Sequence, residues 1–215
     1  FPYTTLFRSV PVIVRTVRAF LAVEEIDMAY VGIKPDWHEY TNELFERFGI
    51  DKERIRVIDG GADRNGTVMN IAEAIVAEHG KNDGDIILTH DAVRPFVTEK
   101  IIKDNIEAMR EHSACGTYMP AVDTIIRSDG EKVRETLNRS ELYQAQTPQT
   151  FRLGDLRRNY YSLSEEQNKK LTDTCSVFTA CNEDIYLVIG DALNFKITTD
   201  SDLKMANALA ELSEK

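Results

Sequence analysis

Residues 85–96 read DIILTHDAVRPF. DIILTH (residues 85–90) holds a short apolar run, Ile86, Ile87 and Leu88, bounded by polar residues, the pattern of a buried strand. Asp91 follows directly, so a carboxylate stands at the end of a buried strand. Pro95 then ends any regular extension.

Working outward, strand and helix alternate. Upstream, Val68, Ile71, Ala72 and Ile75 recur at helical spacing, after RIRVI (residues 54–58), a short strand. Before that, Trp37, Tyr40, Leu44 and Phe48 give a helical stripe with Gly49 as its stop signal. The run at residues 26–33 reads as a buried strand, and Ile13, Val17, Phe20 and Leu21 as a helix. Downstream, Ile102, Ile106 and Met109 mark a helix, and CGTYMPAV (residues 115–122) a strand. This rhythm predicts an α/β fold, a mostly parallel sheet with helices on both faces.

The rhythm breaks at Asp123. Residues 123–151 carry a turn signal at Ser128, Asp129 and Gly130, with polar–apolar alternation on both sides. That predicts an inserted β-arm over about residues 123–149, projecting from the core. Helices near residues 155–161 and 172–179 follow, then strands DIYLVIG (184–190) and NFKITT (194–199). Asp200 or Ser201 is the expected cap of a last helix carrying Leu203, Ala206 and Leu209.

A chain of 215 residues with 42% hydrophobic and 29% charged residues is one soluble domain with a full core. A formal charge of −10 argues against nucleic acid as a partner. No apolar run is long enough to cross a bilayer. The three cysteines, Cys115, Cys175 and Cys181, and four histidines lack metal-ligand spacing, and a reducing cytoplasm is the default.

The first nine residues, FPYTTLFRS, stand apart. They lack an initiator Met, a long apolar stretch and a cleavage site, so they are not a targeting segment. The codons TTT CCC TAC ACG ACG CTC TTC CGA TCT encode this peptide and spell a short-read sequencing adapter. Residues 1–9 are therefore read as an adapter-derived artefact, with a real N-terminal strand as the alternative, and residues 10–215 as the domain.

Several stretches hold chemistry-bearing residues. GGADRNGTV (60–68) joins a strand to a helix. It reads either as a tight turn with a cap or as a loop whose free N–H groups face a ligand. Asp91 with Arg94 is either a structural pair closing the loop or a Mg²⁺ ligand beside an anion-binding arginine. Thr147 precedes Pro148 and is held extended. Thr172, in LTD, reads as a helix cap, and Lys196 as an edge gatekeeper or a phosphate ligand.

Taken in order, GGADRNGTV, HDAVRPF, PAVDT, TPQTF, LTD and NFKIT resemble the cytidylyltransferases that activate polyol phosphates, acting on 2-C-methyl-D-erythritol 4-phosphate or ribitol 5-phosphate. The resemblance runs from about Val10 to the C-terminus. It implies a Rossmann-like sheet whose β-arm exchanges in a homodimer. It implies that Gly60, Gly61, Arg64 and Thr67 hold the cytidine of CTP. Ala62 stands where the methylerythritol branch has an acidic residue, which puts one nucleotide contact in doubt. Asp91 would bind Mg²⁺ and substrate beside Arg94, while Thr124, Arg139, Thr147, Thr172 and Lys196 would line the polyol-phosphate pocket. Asp91, Lys196 and Arg139 would carry the transfer, Arg139 reaching the partner's site. Ala62 and LSEEQNKKLTDTC (163–175) lean toward the ribitol branch.

The resemblance also implies a strand and a glycine-rich loop with Arg and Lys ahead of Val10, so the chain as written is expected to turn over poorly. Two further readings are a nucleotide-binding module without catalysis and a phosphoacceptor receiver-like domain. The receiver reading fails because no acidic pair follows an earlier strand and the arm has no place in it.

Overall fold

The computed structural model describes residues 6–7 and 10–213. The adapter reading of residues 1–9 falls outside them, apart from Leu6–Phe7 (β1), which pairs with Val10–Pro11 (β2). The chain continues through Val12–Leu21 (α1), Ala29–Ile33 (β3), His38–Arg47 (α2), Ile55–Asp59 (β4), Arg64–His79 (α3), Ile86–Thr89 (β5) and Glu99–Ala108 (α4). Then come Ala114–Pro120 (β6), Ile126–Ser128 (β7), Val133–Thr136 (β8), Tyr143–Arg152 (β9), Leu153–Ser162 (α5), Glu165–Asn168 (α6), Cys175–Ala180 (α7), Tyr186–Ile189 (β10) and Asp200–Ser213 (α8).

The main sheet has the order β10-β6-β9-β5. β6 and β10 are parallel, and β9 runs against both β6 and β5. β3 and β4 form a separate parallel pair. The expected parallel sheet is thus present with one reversed strand at its centre. Helices do cover both faces. Successive residues of β6 point opposite ways: Ala114 joins a core with Leu156, Val177 and Phe178 from α5 and α7, while Cys115 joins Met109 beyond α4. Burial pushes the Cys115 and Cys175 thiols up to about 12, so both are inert core residues.

Four local expectations change. The arm is the exposed hairpin β7–β8, turned at Gly130 with φ 101°, but residues 143–149 belong to β9 in the main sheet. Trp37 and Tyr40 are 43% and 45% exposed; α2 buries Thr41, Leu44 and Phe45 instead. Residues 194–199 form no strand. They are pinned by Ile197 N–H donating to the Val93 carbonyl at 2.9 Å and by the fully buried Asn194. The last helix is capped by Thr199, whose hydroxyl accepts from Asp202 N–H at 3.2 Å. The Asp202 carboxylate accepts from Thr199 N–H at 2.8 Å in return, the reciprocal pair of a capping box.

Candidate active site

The carboxyl ends of β4, β5 and β10 lead into the three loops that build the site, where open α/β sheets place their ligands. After β4, Gly60 N–H donates to the Ile33 carbonyl at 2.7 Å, and Gly61 N–H to the Thr67 hydroxyl at 2.9 Å. Thr67 donates in turn to the Asp63 carbonyl, and the Asp63 carboxylate caps α3 through Gly66 N–H at 2.7 Å. The loop is thus a tight turn, and the cap of α3 is Asp63. The turn also aims Arg64 at the centre of the site. A Cβ on Gly61 would lie 2.6 Å from Thr67 N and against the Gly66 backbone. Gly61→Ala is accordingly expected to destabilise the fold by about 1–3 kcal/mol, seen as a lower urea midpoint at unchanged slope.

After β5, Asp91 is the focus. Its carboxylate accepts from Arg64 Nε at 3.2 Å, lies 3.3 Å from Arg94 Nε, and faces Lys196 Nζ at 3.3 Å. Arg64 is held by the Thr174 hydroxyl at 2.7 Å, and Arg94 by the Asn194 carbonyl at 2.8 Å. Three cations around one carboxylate leave a local excess of two positive charges in a chain of formal charge −10. That excess suits a polyanion.

Burial of Asp91 favours its protonated form, but the charges of Arg64, Lys196 and Arg94 outweigh that and hold its carboxyl at about 2. The folded pKa lies below the unfolded one, so the resulting stability is complete above about pH 4 and lost as pH falls toward 2. It is on the order of 2 kcal/mol. Urea denaturation of wild type and Asp91→Asn, from neutral pH down to about 2, should show the gap between them narrowing across that window. Asp202 is held equally low by its backbone hydrogen bonds, and its titration cancels in that difference.

Behind Asp91 stands β9. Its register with β6 shifts so that Gln146, Thr147 and Pro148 oppose the single residue Thr117, a bulge that redirects side chains toward the site. Thr147, 4% exposed, bonds through its hydroxyl to Asp91 N–H at 3.1 Å and to His90 Nδ1 at 3.0 Å. It braces Asp91 rather than facing solvent. Gln149 reaches the Asp173 carboxylate at 2.6 Å and accepts from Thr174 N–H at 3.1 Å. Asn65 links the same loop through the Asp173 carbonyl. Burial drives the His90 pKa down to about 4, so the ring is neutral.

The structure thus joins Asp91, Arg64, Arg94, Lys196 and Thr147, with the Gly60–Gly61–Thr67 turn next to them. Thr172 is exposed and is not the cap of α7: the Asp173 carboxylate accepts from Ser176 N–H at 2.8 Å. Thr124 and Arg139 are exposed near the arm; Arg139 donates to the Val122 carbonyl at 2.6 Å. The hydrogen bonds and ion pairs of Asp91 go to Arg64, Arg94, Lys196 and Thr147, and to neither of those two. Sequence reasoning missed His90, Asn65, Gln149, Thr174 and Asn194. Their signal was weak: scattered polar residues whose partners lie far along the chain.

For Mg²⁺ the donor set is one carboxylate, already facing three cations, and no cluster of three acidic, histidine or cysteine ligands exists among the described residues. This suits a cation that brings substrate phosphates and waters as its other ligands, not an all-protein cage.

Comparison with known proteins gives a consistent picture. The family model for 2-C-methyl-D-erythritol 4-phosphate cytidylyltransferase matches residues 3–211. A ribitol-5-phosphate cytidylyltransferase of Lactiplantibacillus plantarum is 41% identical over 201 residues, covering 94% of this chain and 86% of the relative. A crystal structure of 4-diphosphocytidyl-2C-methyl-D-erythritol synthase superposes with a TM-score of 0.86 at 27% identity, covering 97% of this chain and 94% of that one. The enzyme of the same name from Anaerococcus prevotii gives 0.83 at 27% identity, covering 97% and 93%.

Proposed function

We propose, since this chain belongs to the 2-C-methyl-D-erythritol 4-phosphate cytidylyltransferase family, that its site transfers the cytidylyl group of CTP to ribitol 5-phosphate in preference to the methylerythritol substrate. Cytidylyl transfer to a polyol phosphate is the activity of the family, and the chain is a nucleotidyltransferase. The observation that carries this reading to the site is the convergence of Arg64, Arg94 and Lys196 on Asp91 beside the Gly60–Gly61 turn. The ribitol preference rests on the 41% identity to a ribitol-5-phosphate enzyme, against 27% to two methylerythritol synthases of known structure.

In this reading a phosphate oxygen of the polyol phosphate attacks the α-phosphorus of CTP in line, forming the new P–O bond as the bond to pyrophosphate breaks. The protein positions and neutralises; it forms no covalent bond. Arg64 sits between the nucleotide loop and Asp91 and would hold the triphosphate. Lys196, its side chain half-exposed, would hold the incoming phosphate. Arg94, only 11% exposed, fixes the carboxylate from behind. Asp91 would be the protein ligand of a divalent cation, which when bound neutralises charge on the phosphates.

The arm supports a homodimer. Val122, Ile126 and Val133 on and beside the hairpin are 74%, 43% and 64% exposed, apolar surface that a second copy would cover and that would carry Arg139 toward the partner's site. The test of function is pyrophosphate release by the complete gene product with CTP, Mg²⁺ and each polyol phosphate in turn. A higher kcat/KM with ribitol 5-phosphate supports the reading. A higher value with the methylerythritol substrate reverses the preference, and nucleotide binding without release of pyrophosphate favours a binding module.

A further inference from the structure

We propose that His90 is a positioning residue, whose imidazole in the Nε2–H tautomer fixes the turn that presents Asp91 and Arg94 to substrate. The proposal rests on the cytidylyl-transfer reading above. Each carbonyl of residues 91–94 faces a donor: Asp91 O accepts from Arg94 N–H at 3.0 Å, Ala92 O from the Thr16 hydroxyl at 2.8 Å, and Val93 O from Ile197 N–H at 2.9 Å. The fourth, Arg94 O, lies 3.1 Å from His90 Nε2. Helix α1, the Lys196 segment and His90 therefore hold the turn from three directions.

A carbonyl oxygen only accepts, so Nε2 carries the hydrogen. Asp91 N–H, 3.1 Å from the buried Thr147 hydroxyl, can only donate to it. The hydroxyl's own hydrogen therefore goes to its other partner, His90 Nδ1 at 3.0 Å, which is a bare acceptor. The bonds form a directed chain, from Asp91 N–H through Thr147 and His90 to Arg94 C=O. The Arg94 N–H to Asp91 O bond closes it into a ring. The ring spans the two residues whose side chains meet at 3.3 Å in the site. Phe20, its ring centroid 4.8 Å from that of His90, supports the imidazole from the side. Both nitrogens of His90 are engaged, so it acts through Asp91 and Arg94 and not on the substrate.

His90→Phe fills the same space beside Phe20 but leaves the Arg94 carbonyl without its imidazole donor and the Thr147 hydroxyl hydrogen without an acceptor. Displacing reacting groups by about 1 Å costs about a hundredfold, so kcat/KM should fall about a hundredfold. His90→Gln supplies one donor and one acceptor and should recover activity to within about fivefold of wild type. Adding Thr147→Val to His90→Phe should cost little more, because both break one ring. Nitrogen NMR of the imidazole in the complete gene product should show hydrogen on Nε2 and a bare Nδ1. A proton on Nδ1 would overturn the proposal even if His90→Phe failed to fold. So would a folded His90→Phe within about twofold of wild type, or a Gln variant no better than Phe. Wild-type inactivity with both polyol phosphates would instead overturn the reading of function, and the tautomer measurement would still decide the ring.

Discussion

Asp91→Asn is expected to lower kcat by about a thousandfold, the scale on which losing one preorganised electrostatic group acts, while KM for CTP stays level or falls. Asn keeps the shape of the side chain, 12% exposed, but removes its charge and turns one of its two acceptor oxygens into an NH2 donor. Arg64, Arg94 and Lys196 then lose their shared anion, and their freed charge attracts the triphosphate at least as strongly as before. What disappears is the group that holds the three cations apart in a fixed geometry and the carboxylate that would bind a divalent cation. Ground-state binding survives and transition-state stabilisation does not, which is the signature of a fall in kcat without a rise in KM. Steady-state kinetics with both substrates varied decides it. A raised KM for CTP at unchanged kcat would make Asp91 a nucleotide-binding residue only.

Lys196→Met should produce the second-largest effect, about a hundredfold or more in kcat/KM for the polyol phosphate, with a smaller change for CTP. The methionine keeps the apolar stem and loses the ammonium. Lys196 is 45% exposed, so its ion pair with Asp91 is partly solvated and worth roughly 1 kcal/mol or less to stability. The melting temperature should therefore hardly move. The segment stays pinned by Ile197 N–H to Val93 O, so the loss is read as charge, not as a displaced loop. Equal losses for both substrates would place Lys196 on the triphosphate instead. Lys196→Arg should restore only part of the activity, because a planar fork does not reproduce a compact point charge.

The strand leading to Asp91 was legible from its short apolar run, and the carboxylate as a group that must be paired or serve a ligand. Yet β5 is less covered than expected, with Ile86 40% exposed and only Thr89 buried. The alternating helices around it followed from their periodicity. The central strand was not legible. Residues 143–152 are rich in Gln and Thr with one Pro, a composition that belongs to an exposed arm unless its polar groups find buried partners. Here they do: Gln149 with Asp173, Gln146 with Asn194, and Thr150 with Asn105. Each pair is separated by tens of residues, so no local pattern announces it. The same reason hid Thr174, which bonds Arg64 across 110 positions, behind the more exposed Thr172. NFKITT alternates like a strand, yet its bonds go to a loop and not to a neighbouring ladder. Trp37 and Tyr40 kept the helical period, but the face they share looks to solvent.

The most direct test of the transfer chemistry follows the fate of a labelled oxygen. Ribitol 5-phosphate carrying heavy oxygen in its phosphate group is turned over with CTP and Mg²⁺ by the complete gene product, and the products are read by phosphorus NMR. Attack of the polyol phosphate on the α-phosphorus predicts isotope shifts at both phosphorus atoms of the CDP-polyol and an unlabelled pyrophosphate, both products forming about a thousandfold more slowly with Asp91→Asn. Label in the released pyrophosphate, or undiminished product formation by Asp91→Asn, would contradict it.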